Sequence, residues 1–113
     1  MSPTNAREVA AKAAQGFPLL QCQECADAIR AALLAAGHGG QVIEIRAVGR
    51  LLFMVCSSYM SGNVSITENG RHLGVRVGDD VFDNLHPEGL RYGLWLAEFD
   101  APDGIESFST TDF

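Results

Sequence analysis

The stretch LLQCQECADAIRAALLAAGHGG, Leu19 to Gly40, decides how this chain is read. At about 100° per residue, Cys22, Cys25, Ala26, Ile29, Ala32, Leu33 and Ala36 share one face, and Gln23, Asp27, Arg30 and Ala31 lie opposite. That is an amphipathic helix with its apolar stripe turned to a core. The spacing predicts a helix from Cys22 to Gly37, with Gly37-His38-Gly39-Gly40 as C-cap and turn. Two thiols stand at its start.

Working upstream, Asn5 is placed to cap a helix over roughly Ala6 to Gln15, stopped by Gly16. Phe17-Pro18 then breaks the chain direction. Downstream the pattern changes to strands. Val42 to Arg46 is the first, and Arg50 to Tyr59 is a second whose continuous apolar stretch predicts burial on both faces. Gly62-Asn63 and Asn69-Gly70 are turn signals around a short Val64-Ser65-Ile66 segment. RHLGVRVGDDVFDNLHP reads as a hairpin, and Pro87 opens a short helix running to Phe99. Helices, then antiparallel strands, then a short helix make an α+β domain. Residues 1–16 are its N-terminal helix, 17–100 its globular part, and 101–113 a polar, turn-rich tail expected to be loosely held.

The 113 residues suit one domain, and a 47% apolar content predicts a folded chain. The formal charge is −6, from 14 acidic and 8 basic residues with no basic stripe, which argues against a nucleic-acid partner. The longest apolar run, Leu51 to Cys56, is too short to enter a bilayer as a span, and no signal-peptide pattern opens the sequence. The three cysteines, Cys22, Cys25 and Cys56, are an odd number, so no complete internal disulfide framework is expected. No cofactor is indicated. A zinc site built on Cys22 and Cys25 would need a second close pair, and His72 and His86 are too far apart in sequence to supply it.

A thiol in the first helical turn sits among unpaired N–H groups at the positive end of the helix dipole. That lowers its pKa, and the same N–H groups can hold the oxyanion formed when a thiolate attacks a carbonyl. Cys22 occupies that position if the helix starts there; a start near Gln23 or Glu24 would hand it to Cys25, which otherwise reads as a core residue. Cys56, inside an apolar run, reads as core.

The hairpin supplies a base. A type II′ turn at Gly78-Asp79 sets Val77 opposite Asp80, Val75 opposite Phe82 and Gly74 opposite Asp83. His72, Gly74 and Asp83 then share a face, and Asp83 reaches His72 diagonally across the glycine. Asp83 is expected to accept the Nδ1–H of His72 and leave the other nitrogen for a thiol. A turn one residue longer would substitute Asn84. His86, before Pro87, reads as a turn residue.

QCQECADAI, NGRHLGVRV and VFDNLHPEGL, with WL shortly after, resemble the papain-fold toxin domains of bacterial polymorphic toxin systems, over roughly Phe17 to Phe99. The resemblance implies a small papain-like fold, with a nucleophile helix packed on an antiparallel sheet that carries the histidine and its partner. It implies attack on an amide, by a peptidase, a glutamine deamidase or an acyl-transfer enzyme such as a transglutaminase. The nucleophile then falls in QCQEC, Cys22 or Cys25; the base is His72; and the orienting residue is Asp83, with Asn84 beside it. A glutamine completing the oxyanion hole would be Gln21 or Gln15. The resemblance also implies a protein substrate, a cognate immunity protein, and delivery to a target cell as part of a larger secreted protein. The competing reading is a non-catalytic immunity or adaptor module, with an acidic face and an apolar surface at Tyr92, Trp95 and Phe99.

Overall fold

A computed structural model describes residues 5–113, with the side chains of residues 109 and 110 excepted; residues 1–4 of the expected N-terminal segment lie outside the described residues. Helix α1 spans Ala6–Ala14, and the Asn5 side chain accepts the Glu8 N–H at 2.8 Å. Helix α2 spans Cys22–Ala35, so Cys22 is its first residue. It ends in a Schellman closure: Gly37 takes φ 82°, its N–H bonds the Leu34 carbonyl, and the His38 N–H bonds that of Leu33 at 2.8 Å.

The strands are β1 (Gln41–Ala47), β2 (Val55–Cys56), β3 (Arg71–Val77), β4 (Asp80–Phe82), β5 (Leu90–Arg91), β6 (Phe99–Asp100) and β7 (Ile105–Asp112), with helix α3 (Tyr92–Ala97) between β5 and β6. Five of them form one antiparallel sheet in the order β5-β4-β3-β1-β7, while β2 and β6 pair separately. The fold is α+β, as expected, with a helix pair packed on an antiparallel sheet. Alternation along β3 divides the core. Leu73, Val75 and Val77 pack with Ala10, Ala14, Cys25, Ile29 and Leu33 of the two helices. On the other face Trp95, Phe99, Met54 and Cys56 pack against Ile43 and Ile45 of β1. Helix α1 shares the first of these cores with α2, so it belongs to the same packed unit as the sheet.

Five local expectations are corrected. Residues 105–112 form β7, an eight-residue strand along β1, instead of a loose tail. Because β7 fills the place beside β1, the apolar run from Leu51 has no central slot in the sheet. Only Val55–Cys56 is a strand, and Leu51, Leu52 and Phe53 are exposed. Val64-Ser65-Ile66 forms no strand, although Ile66 is buried. The helix expected from Pro87 is confined to Tyr92–Ala97, because Gly89 turns the chain at φ 88° and Leu90–Arg91 pairs with β4. Trp95 and Phe99 are buried there, so they form no interaction surface.

Candidate active site

The hairpin register is Val75 opposite Phe82, Arg76 opposite Val81 and Val77 opposite Asp80, with Gly78 at φ 61° in the turn. Strand β4 ends at Phe82, so its pairing covers only Val75 to Val77 of β3. The earlier half of β3, carrying His72 and Leu73, is open on that side to the start of α2. There the Cys22 thiol interacts with the His72 ring and the Leu73 backbone N–H.

His72 is buried, its ring 5.0 Å from that of Phe99 between centroids and 6.1 Å from that of Trp95. Its Nε2 lies 2.7 Å from Asp83 Oδ2. This corrects the expected ring orientation: Nε2 bonds the carboxylate, and Nδ1 is the nitrogen left for a thiol. Nδ1 is buried and makes no close hydrogen bond among the described residues. Asp83 is buried and accepts from five groups. Oδ2 takes the His72 ring and the Trp95 indole N–H at 2.8 Å; Oδ1 takes the backbone N–H groups of Leu85 and His86 and the His86 Nδ1. The space for Trp95 exists because residue 74 is glycine.

These contacts set the ionisation. Burial works against the charge on Asp83, yet contact with His72 and His86 holds its carboxyl well below the usual range. Burial also opposes protonation of His72, but Asp83, helped by Cys22, raises the ring to about 9. For Cys22, burial pushes the thiol up, and the His72 ring and the Leu73 N–H more than offset it, so the net shift is downward. Cys25 differs. It is fully buried, its sulfur facing the Ala14 carbonyl at 3.7 Å, and burial together with the charges of Asp83 and Cys22 pushes it up to about 12.

The first helical bond of α2 runs from the Cys25 N–H to the Gln21 carbonyl at 3.0 Å, so the N–H groups of Cys22, Gln23 and Glu24 have no acceptor within the helix. Cys22 lines an open groove of about 230 Å³ between Leu20 and Glu24 on one side and Thr67, Asn69 and Arg71 on the other. Leu20 adopts φ 72°, a conformation usually left to glycine, in the turn closed by the Gln21 N–H on the Pro18 carbonyl. Asn84 holds that turn by donating to the Pro18 carbonyl at 3.0 Å, so it supports the loop before Cys22, while Asp83 is the residue bonded to His72. Gln15 donates back to the Ala11 carbonyl of its own helix, and Gln21 precedes α2 without a side-chain cap bond.

His86 is no plain turn residue. Its Nδ1 bonds Asp83 Oδ1 at 2.9 Å, and its Nε2 faces Glu98 Oε1 at 3.1 Å, Ser58 Oγ at 3.2 Å and Cys56 Sγ at 3.9 Å. Sequence reading missed this cluster because its members come from three separate segments; the Asp83-x-x-His86 spacing was its one local trace. Cys56 is a core residue, as expected, and in addition faces His86.

No curated protein and no solved structure matches the chain significantly. The papain fold toxin 2 family does match, over residues 5–100, and that span carries α1, α2, the hairpin and the aromatic wall around His72. The chain therefore belongs to the papain fold toxin 2 family.

Proposed function

We propose that this domain is a cysteine hydrolase toxin that cleaves amide bonds through a thioester, with Cys22 as nucleophile, His72 as base and Asp83 as the residue that orients His72. The observation that carries this reading is the Cys22 thiol, at the first turn of α2, acting on a buried imidazole whose far nitrogen is bonded to a buried carboxylate. Family membership supports the hydrolase class.

The chemistry follows from the placement. His72 Nδ1 takes the Cys22 proton, and the thiolate attacks the carbonyl carbon. The free N–H groups at the start of α2 hold the oxyanion. The imidazolium returns the proton to the leaving nitrogen as the carbon–nitrogen bond breaks. Water, deprotonated by His72, then attacks the thioester and releases the acid. Ammonia as the leaving group makes the enzyme a deamidase, a peptide amine makes it a peptidase, and an amine in place of water gives acyl transfer. The open groove fits a segment of a protein substrate. A cognate immunity protein occluding that groove is the expected partner, and delivery to a target cell within a larger protein is the expected route.

The test is product analysis on a denatured protein substrate, scored for ammonia and for new N-termini. The wild-type chain should release one or the other. Cys22→Ala and His72→Ala should abolish release while keeping the wild-type circular dichroism. Full activity in Cys22→Ala would sink the assignment.

A further inference from the structure

Outside the Cys22 groove, a second cluster brings together a sulfur, an imidazole nitrogen and a carboxylate. Cys56 Sγ, His86 Nε2 and an oxygen of Glu98 all lie within 4.8 Å of one another. Cys56 comes from β2, His86 from the turn after β4, and Glu98 from the end of α3, so tertiary structure alone assembles them. We propose that Cys56, His86 and Glu98 bind a divalent cation of the zinc class, with one coordination position open.

Three features support this. First, the spacing suits the ion. Tetrahedral zinc with ordinary bond lengths sets nitrogen and oxygen ligands about 3.4 Å apart and sulfur and nitrogen about 3.6 Å apart. The corresponding separations here are 3.1 and 3.9 Å. The sulfur and the carboxylate oxygen lie within 4.8 Å, so a bound ion would draw the partly exposed Glu98 carboxylate about 1 Å towards Cys56 to reach the roughly 3.5 Å of a tetrahedral sulfur–oxygen pair. Second, two ligands are already oriented from behind. Asp83 Oδ1 bonds the Nδ1 of His86, which fixes Nε2 as the ligating atom, and Ser57 Oγ bonds the other oxygen of Glu98. A carboxylate behind a histidine ligand is the usual outer support of a zinc site. Third, Nε2 faces three heteroatoms, of Cys56, Ser58 and Glu98, more than one proton can serve. A cation satisfies these groups together, releasing the thiol proton and any proton on Nε2. Cys56 and His86 supply the soft and borderline donors that favour zinc over magnesium or calcium.

The site is separate from Cys22, although Asp83 touches both, gripping His72 by Oδ2 and His86 by Oδ1. The test is a titration of the untagged, phosphine-reduced chain with Co²⁺, read by its near-ultraviolet sulfur-to-cobalt charge-transfer band, followed by Zn²⁺ competition. One equivalent should give the band, Zn²⁺ should displace it, Cys22→Ser should keep it and Cys56→Ser should lose it. Glu98→Gln, at a partly exposed position, should weaken Zn²⁺ binding at least ~10-fold, and it decides the matter if Cys56→Ser does not fold. The proposal is overturned if the wild type gives no band, if the band follows Cys22 instead of Cys56, or if Glu98→Gln binds Zn²⁺ as tightly as the wild type.

Discussion

The indole of Trp95 lies over Gly74, where an added Cβ would sit 2.9 Å from Trp95 Cζ2 and 2.6 Å from Val81 Cγ1. The glycine thus lets Trp95 approach the sheet and donate its N–H to Asp83 at 2.8 Å. Gly74→Ala should force Trp95 and Val81 apart and destabilise the chain by about 1–3 kcal/mol, the usual penalty for overpacking. Urea unfolding measures it. A change within ~0.5 kcal/mol, the range of an ordinary surface substitution, would show that the contact has slack.

Stability should depend on pH through the His72–Asp83 pair. Asp83 is depressed in the folded state, so its contribution is present above the ordinary carboxylate pKa and lost as the pH falls. His72 is raised from 6.5 to about 9, so its contribution is complete below 6.5 and fades as the pH rises through about 9. Thermal unfolding from pH 5 to 10 should therefore decline on the alkaline side. His72→Gln should lessen that decline, leaving the part due to His86, which contact with Asp83 and Cys56 raises to about 10 against the effect of burial. A wild-type profile no steeper than the variant's would count against the pair.

Strand β7 should be indispensable. It covers one edge of β1 along Gln41 to Ala47, with Ile105 packed against the Trp95 side of the core. Ending the chain after Gly104 leaves a central strand with an unpaired edge, which invites aggregation. The shortened chain should be insoluble or lack cooperative melting. A soluble, cooperatively melting product would mean that β7 only decorates the sheet.

The parts legible from sequence were those fixed by local rules. The start of α2 followed from apolar periodicity, and the hairpin register from Gly78 together with the Val75–Phe82 pair. Those two elements put a thiol at a helix start and His72 beside Asp83, and the packing of α2 on β3 brings the two together. Which ring nitrogen of His72 meets Asp83 was not legible, because the ring's rotation depends on Phe99 and Trp95, which arrive from the far end of the chain. The strand in 105–112 was hidden by its serines and acidic residues, although Ile105, Phe108 and Thr111 are strand formers. The exposed Leu51–Phe53 run misled for the opposite reason: its composition promised a buried strand, and the neighbouring position was already taken by β7.

The account turns on whether His72 activates Cys22, and mass-mapped iodoacetamide labelling across pH measures that directly. In the native wild-type chain Cys22 should label first and well below pH 8, where a free thiol with a pKa of about 8.5 is mostly protonated, while Cys25 stays inert. His72→Ala should move the Cys22 profile to higher pH. Labelling of Cys22 with the pH profile of a free thiol, unchanged by His72→Ala, would contradict the account.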